Sequence, residues 1–322
     1  MQGRLAVCFS FQFFSFQLFF ITVNEFLQQL INGLSLGAIY ALIALGYSMV
    51  YGLLKFINFA HGDILMIGAF AGFYAAPWIH HLLPNPWMTT AGVLLWAMMV
   101  CAVLGVVIER LAYRPLRNQP KLAVLITSIG VSLLLSYGGQ ILFGVNQKAF
   151  PDLLPPLRIP LGADVTISGN HLLVMAVTLV LLIGLREIVL RTRFGLALRA
   201  LSQNRDAAAL MGVNSNAVIS LTFAVGSALA GAAGVLYAMN IHSIEPLMGT
   251  LPGIKAFVAA VLGGIGSLPG AAVGGLLLGL SECLLGGSFL SSYRDAIAFG
   301  LLIVILLLRP SGLFGNSAAE KV

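Results

Sequence analysis

An all-α, polytopic integral membrane protein is the fold class this sequence predicts, from the scarcity of charge, the length of the apolar runs and the lack of an alternating barrel pattern. Hydrophobic residues make up 59% of the 322 and charged residues 9%, with a mean hydropathy of +0.98. A soluble domain carries roughly 25% charged residues because its surface must be met by water. Here lipid must be the solvent for most of the surface. In hydrocarbon each unpaired backbone N–H or C=O costs several kcal/mol, which leaves only helices and closed barrels. A barrel shows segments of about ten residues of alternating character. The runs here, such as Leu172–Gly184 and Ala296–Leu308, are unbroken, and many approach the roughly 20 residues of a spanning helix.

Taken in order, apolar runs and turn signals give about eight membrane segments. Met1–Arg4 followed by Leu5–Val23 looks like a signal peptide with a short basic start. No small-x-small site follows, since Asn24-Glu25-Phe26 comes next, and Gln12 and Gln17 weaken a spanning helix. Residues 1–24 are therefore expected to be an N-terminal extension, either an extra hydrophobic segment or a start-site artefact. The main domain is expected to cover 25–315, and 316–322 are expected to form a cytoplasmic tail. Within the domain the expected segments are Phe26–Leu54, Ile57–Ile79, Trp87–Ile108, Leu122–Phe143, Leu172–Leu190, Ala217–Met239, Ile254–Leu285 and Ala296–Leu308. The seventh carries Gly263, Gly264, Gly266, Pro269 and Gly270. A helix does not run undisturbed through such a stretch, so it is expected to be two half-helices or one broken or re-entrant helix.

Charge sets the orientation. The formal net charge is +6 and the pI about 9.4, but the basic residues sit in short loops beside apolar runs, as cytoplasmic loops facing anionic headgroups do. A nucleic-acid partner is excluded on that ground. Glu109–Lys121 and Arg186–Arg205 are the two basic loops and should be cytoplasmic. Gly144–His171, with Pro151, Pro155, Pro156 and Pro160, should face outward. A broken seventh segment returns Arg309 to the cytoplasm as well. Cys8, Cys101 and Cys283 lie inside apolar runs without paired spacing, which suits buried inert thiols and no metal site.

The loop from Arg191 to Asn214 is too charged for lipid yet rich in helix formers. Over Leu196–Met211 an apolar face of Leu198, Leu201, Ala208 and Met211 alternates with Arg199, Gln203 and Arg205, and Gly212 stands where a C-cap glycine would. One reading is a connector lying on the membrane surface. The other is a docking helix, a short apolar-and-basic knob presented to the groove of a cytoplasmic partner. The chain carries no GxxxxGK[ST] phosphate loop, so energy must come from an ion gradient or from a partner.

This loop resembles the cytoplasmic coupling loop of permease subunits of bacterial ATP-binding-cassette importers, specifically the branched-chain amino-acid family. Gly46-Tyr-Ser-Met-Val-Tyr-Gly-Leu-Leu-Lys-Phe-Ile-Asn-Phe-Ala-His-Gly-Asp63, Ile108-Glu-Arg-Leu-Ala-Tyr-Arg-Pro-Leu-Arg117, Lys255–Gly270 and Arg309–Gly315 are similar to blocks of that family in the same order. The likeness runs from about Glu25 to Val322 and is nearest the first (H-type) permease of the high-affinity system. Residues 1–24 depart from it. It implies an inner-membrane machine of two related permeases, two cytoplasmic ATPases that bind ATP and Mg, and a periplasmic binding protein delivering leucine, isoleucine or valine. No cofactor is expected on this chain, and no catalytic residues. Coupling to the ATPases is expected at Arg193, Phe194, Gly195, Arg199, Ala200, Asn204, Ala208, Leu210 and Gly212.

A translocation path or gate is expected at Asn58, His61, Asp63, Lys255, Gly263, Gly264, Gly266 and Glu282. Ionisable groups at membrane depth are costly and usually face a cavity or a partner. The plainer reading makes Asn58 the N-cap of the second segment and Asp63 a first-turn acid. Lys255 and Glu282 either pair across the broken helix or each face water at an interface. The glycines permit a bend or close packing. A permease for urea, short amides or other amino acids is the nearest alternative, and an ATP-independent secondary transporter or channel, which also uses broken helices, is the alternative of a different class.

Overall fold

The computed structural model describes residues 23–117, 119–161, 165–286, 293–309 and 311–315. The expected tail and nearly all of the N-terminal extension lie outside these. Helices α1 (Val23–Leu54), α2 (His61–Leu82), α3 (Pro86–Ile108), α4 (Lys121–Phe143) and α5 (Gly169–Arg191) are followed by two short ones, α6 (Arg193–Gln203) and α7 (Arg205–Leu210). Then come α8 (Ser215–Ile241), α9 (Thr250–Gly263), α10 (Leu268–Gly286) and α11 (Arg294–Leu308). Among the described residues seven helices are long and apolar enough to cross a membrane, and α9 is a shorter apolar one. The polytopic all-α expectation holds, with the break in the seventh segment at Gly264–Ser267.

Helix starts follow local chemistry. Asn85 accepts from the Trp87 amide at 3.0 Å ahead of Pro86, which opens α3. The Ser168 hydroxyl caps α5, and Asn214 caps α8. The second segment begins four residues later than its apolar run suggests. Residues 55–60 are not helical, Lys55 has a φ of 56°, and Ala60 rather than Asn58 occupies the cap. Asn58 as N-cap is therefore wrong: its side chain turns away to accept from Tyr113.

The bundle is held by close backbone approach. Gly33 and Gly37 of α1 face Gly275 and Gly279 of α10, and a Cβ on Gly37 would lie 2.9 Å from the Leu276 backbone. Two small-xxx-small stripes thus interlock, the means by which helices associate in lipid. Helix α8 packs on α1, α2 and α3 through its Ala228–Ala233 run, where Ala230, Ala232 and Ala233 are fully buried.

At one end of the bundle the chain is basic: Arg117 donates to Asn216 at 2.7 Å, tying the turn after α3 to the start of α8. At the other end the proline-rich stretch makes a small hairpin, Arg158–Pro160 (β2) against Thr166–Ser168 (β3). Beside it Lys148–Ala149 (β1) pairs with Ser243–Ile244 (β4), joining the loops after α4 and α8.

Candidate functional site

Two polar constellations stand out, one on the basic end and one inside the bundle.

The basic end carries α6 and α7. The continuous helix expected over Leu196–Met211 is in fact two, because Asn204 takes an extended conformation and its side chain accepts from the Ala207 amide at 3.0 Å, capping α7. Gly212 ends the motif at a φ of 84°, the left-handed conformation for which glycine is suited. The expected apolar face is inverted. Leu198, Leu201 and Ala208 are buried against the chain's own membrane helices, while Leu196, Leu210 and Met211 are exposed, the last two by 89% and 84%. Met211 is thus not on the packed face, and the surface offered outward is Leu196, Leu210 and Met211 among the exposed Arg193, Arg199 and Arg205. Gly195 is also buried, and a Cβ there would run into the carbonyls of Ile188 and Val189. Gly195 and Ala208 therefore seat the platform and do not form its outer surface. Phe194 and Ala200 are half-buried, and Asn204 and Gly212 are exposed.

The platform borders the end of α1 and the glycine turn between α9 and α10. A cavity of about 100 Å³ between α6, the end of α1 and the glycine turn is lined by Leu198, Arg199, Ser48, Gly52 and Gly266. Gly264 and Gly266 have φ values of 103° and 93°, which no other residue adopts cheaply. Gly266 N donates to Ser48 Oγ at 2.9 Å. The chain past α11 folds back over this turn, with Leu313 N donating to Leu262 O at 2.9 Å and Phe314 N to Gly263 O at 3.0 Å.

The interior constellation is buried. Asn58, His61 and Asp63 are at most 4% exposed. Tyr113 donates to Asn58 Oδ1 at 2.6 Å. The His61 ring lies edge-on to Tyr47 at 4.6 Å between centroids, against the backbone gap left by Gly46. Asp63 accepts from Ser132 at 2.5 Å and from Ser136, both on α4. The sequence reading passed over these serines, although their i, i+4 spacing in an apolar helix is the available signal.

Lys255 and Glu282 meet at 2.7 Å, both buried, not at the break but farther along the antiparallel α9 and α10. Tyr40 donates to the other carboxylate oxygen of Glu282 at 2.9 Å, and Asp295 of α11 reaches Lys255 at 2.8 Å. Tyr40 and Asp295 were not anticipated. Nor was the second buried pair, Glu109 with Arg117, which is joined by Ser220 donating to Glu109 at 2.5 Å. Glu109 opens a π-helical turn, Glu109–Tyr113, an irregularity that often marks functional positions. No group of His, Cys, Asp and Glu able to hold a metal occurs among the described residues.

The family described as the branched-chain amino acid transport system permease component matches residues 29–306. The chain is 44% identical to the high-affinity branched-chain amino acid transport system permease protein BraD of Pseudomonas aeruginosa, across 93% of this chain and 99% of that protein. It is 40% identical to the LivH permease protein of the corresponding system in Salmonella typhimurium, across 92% and 98%. The ribose import permease protein RbsC of Escherichia coli is 27% identical, across 90% and 86%. No solved structure matches.

Proposed function

The chain belongs to the family of branched-chain amino acid transport permeases, and from that membership we propose that it forms one half of the route through an ATP-driven inner-membrane importer of leucine, isoleucine and valine. A second, related permease completes the route. A periplasmic binding protein delivers the amino acid, and two cytoplasmic ATPases bind ATP and Mg and drive the cycle. The chain does no covalent chemistry of its own.

The observation that carries this reading is the platform of α6 and α7. Its inner side is buried and its outer side offers Leu196, Leu210 and Met211 ringed by arginines, an amphipathic patch suited to a groove on a partner. Arg193, Phe194, Arg199, Ala200, Asn204, Leu210 and Gly212 would meet or frame the ATPase, with Gly195 and Ala208 holding the platform to the bundle. Closure of the ATPases would push on it. The push passes through Leu198 and Arg199 to the end of α1 and the turn at Gly263, Gly264 and Gly266. From there α9, 14 residues or about 21 Å long at 1.5 Å per residue, carries it to Asn58, His61 and Asp63 and to the Lys255–Glu282 pair. These groups form the gate of the route.

The test is to replace Leu210 and Met211 together by Asp in the assembled transporter and measure ATPase co-purification and leucine uptake. Both should fall sharply. Full retention of both removes the coupling role of this platform.

A further inference from the structure

Building on the permease reading, we propose that the cavity between α1, α2, α4 and α9 is a transient subsite for the zwitterionic amino acid, in which Asp63 receives the ammonium group. The cavity measures about 140 Å³, and its walls include Tyr47, Phe59, Asp63, Thr250, Ile254 and Phe257.

Charge is the first reason. Asp63 is 4% exposed, and its only hydrogen-bonding side chains among the described residues are the two serine hydroxyls. None of the ion pairs among the described residues includes it. By contrast the buried acids Glu109 and Glu282 each have a cation. A buried carboxylate without a counter-charge is costly, and with about four acceptor sites it has capacity left after two hydroxyls. A primary ammonium supplies both the charge and three donors.

The second reason is the composition of the remaining wall. Tyr47, Phe59, Ile254 and Phe257 give an apolar surface for a branched aliphatic side chain. Thr250 begins α9, and its cap residue Gly249 offers no side-chain bond. That helix end is partly positive and carries a hydroxyl, which complements the carboxylate of the same ligand. Ammonium, carboxylate and side chain thus each find their own chemistry around one small space.

Access is the third. Ile254 is 42% and Leu251 58% exposed, so the mouth of the cavity lies on a face of α9 that the described residues leave uncovered. A solute moving between two permease chains would pass it.

Uptake of leucine into proteoliposomes bearing the complete transporter and its binding protein tests this, with wild type, Asp63→Asn and Ile254→Trp compared. Asn keeps an acceptor oxygen for one serine and offers its NH2 to the hydroxyl oxygen of the other, but loses the charge, and Trp fills the cavity from its exposed rim. Each should lower uptake about tenfold or more, the size of one lost charge-assisted hydrogen bond, in complexes that still retain their partners. A second readout uses Ile254→Cys with Cys8, Cys101 and Cys283 replaced by Ala. Leucine should slow thiol labelling, 4-methylpentanoic acid, which lacks the ammonium, should not, and adding Asp63→Asn should abolish the protection. Equal protection by both compounds, protection that survives Asp63→Asn, or variants that transport like wild type overturns the subsite. If wild type itself moves no leucine, the permease reading fails instead, so the two failures are distinguishable. Should either uptake variant lose its partners, the labelling result decides.

Discussion

Lys255 shows how a single side chain can be both expensive and indispensable. It lies buried between Glu282 at 2.7 Å and Asp295 at 2.8 Å, with Tyr40 on the far oxygen of Glu282. Removing one partner of a buried pair leaves an uncompensated charge, which costs about 3–5 kcal/mol, whereas removing both is far milder. Lys255→Met should therefore destabilise the detergent-solubilised protein by that order, and Glu282→Gln added to it should restore part of the loss. Thermal unfolding followed by size-exclusion chromatography checks both. A double variant no more stable than the single one would show that the pair is not coupled. The sequence made Lys255 and Glu282 conspicuous because each interrupts an apolar run, but their partners were not legible. Tyr40 and Asp295 lie 242 residues from and 13 residues after Glu282 in the chain, and no periodicity links such positions. The N-cap alternative for Asn58 fails for a related reason. Asn is a good cap in local terms, and only the tertiary placement of Tyr113 shows that its oxygen is already engaged.

Among the elements, the interlocked glycines of α1 and α10 leave little tolerance for a side chain. Gly37→Ala puts a methyl group against the Leu276 backbone, and such overpacking costs about 1–3 kcal/mol. Gly138→Ala on α4 meets nothing within 4 Å and should be neutral or stabilising by up to about 1 kcal/mol through helix propensity. Comparing the melting temperatures of the two variants separates packing from propensity, and equal shifts would refute the interlock. Asn204 offers a second element-scale test. Asn204→Ala removes the cap of α7 at a cost of about 1 kcal/mol and should lower uptake, while Asn204→Asp, which can still cap, should be nearly silent in the same assay. The break here escaped the sequence reading because the apolar face was followed across Asn204, whose side chain accepts from Ala207 N and whose preference for the N-cap position was the available signal. The glycine turn was legible in advance, since Gly264 and Gly266 are residues a helix would not choose and their positive φ values are ones that few others tolerate.

At the scale of the whole molecule the two ends differ in charge, and that difference orients the chain. The platform and the Arg117–Asn216 contact share one end, and the β2–β3 hairpin shares the other with β1 and β4. With basic loops held inside, a membrane-impermeant thiol reagent added to intact spheroplasts should label Leu161→Cys in the hairpin loop. It should label Met211→Cys only after lysis. Labelling of Met211→Cys from outside would reverse the topology and with it the transport scheme. The order of the membrane helices was readable because lipid sets the length of each apolar run. The depth at which α2 and α9 begin was not, since it depends on backbones meeting at Gly62 and Gly249. One consequence concerns synthesis on the ribosome. The turn joining α9 and α10 receives two of its backbone bonds from Leu313 and Phe314, the last stretch of described chain to be made. That turn stays unlatched while the final helix is still being translated and inserted. A chain cut short just after Arg309 would carry every described helix yet leave the carbonyls of Leu262 and Gly263 without these donors, and quality-control proteases should distinguish it from the finished product.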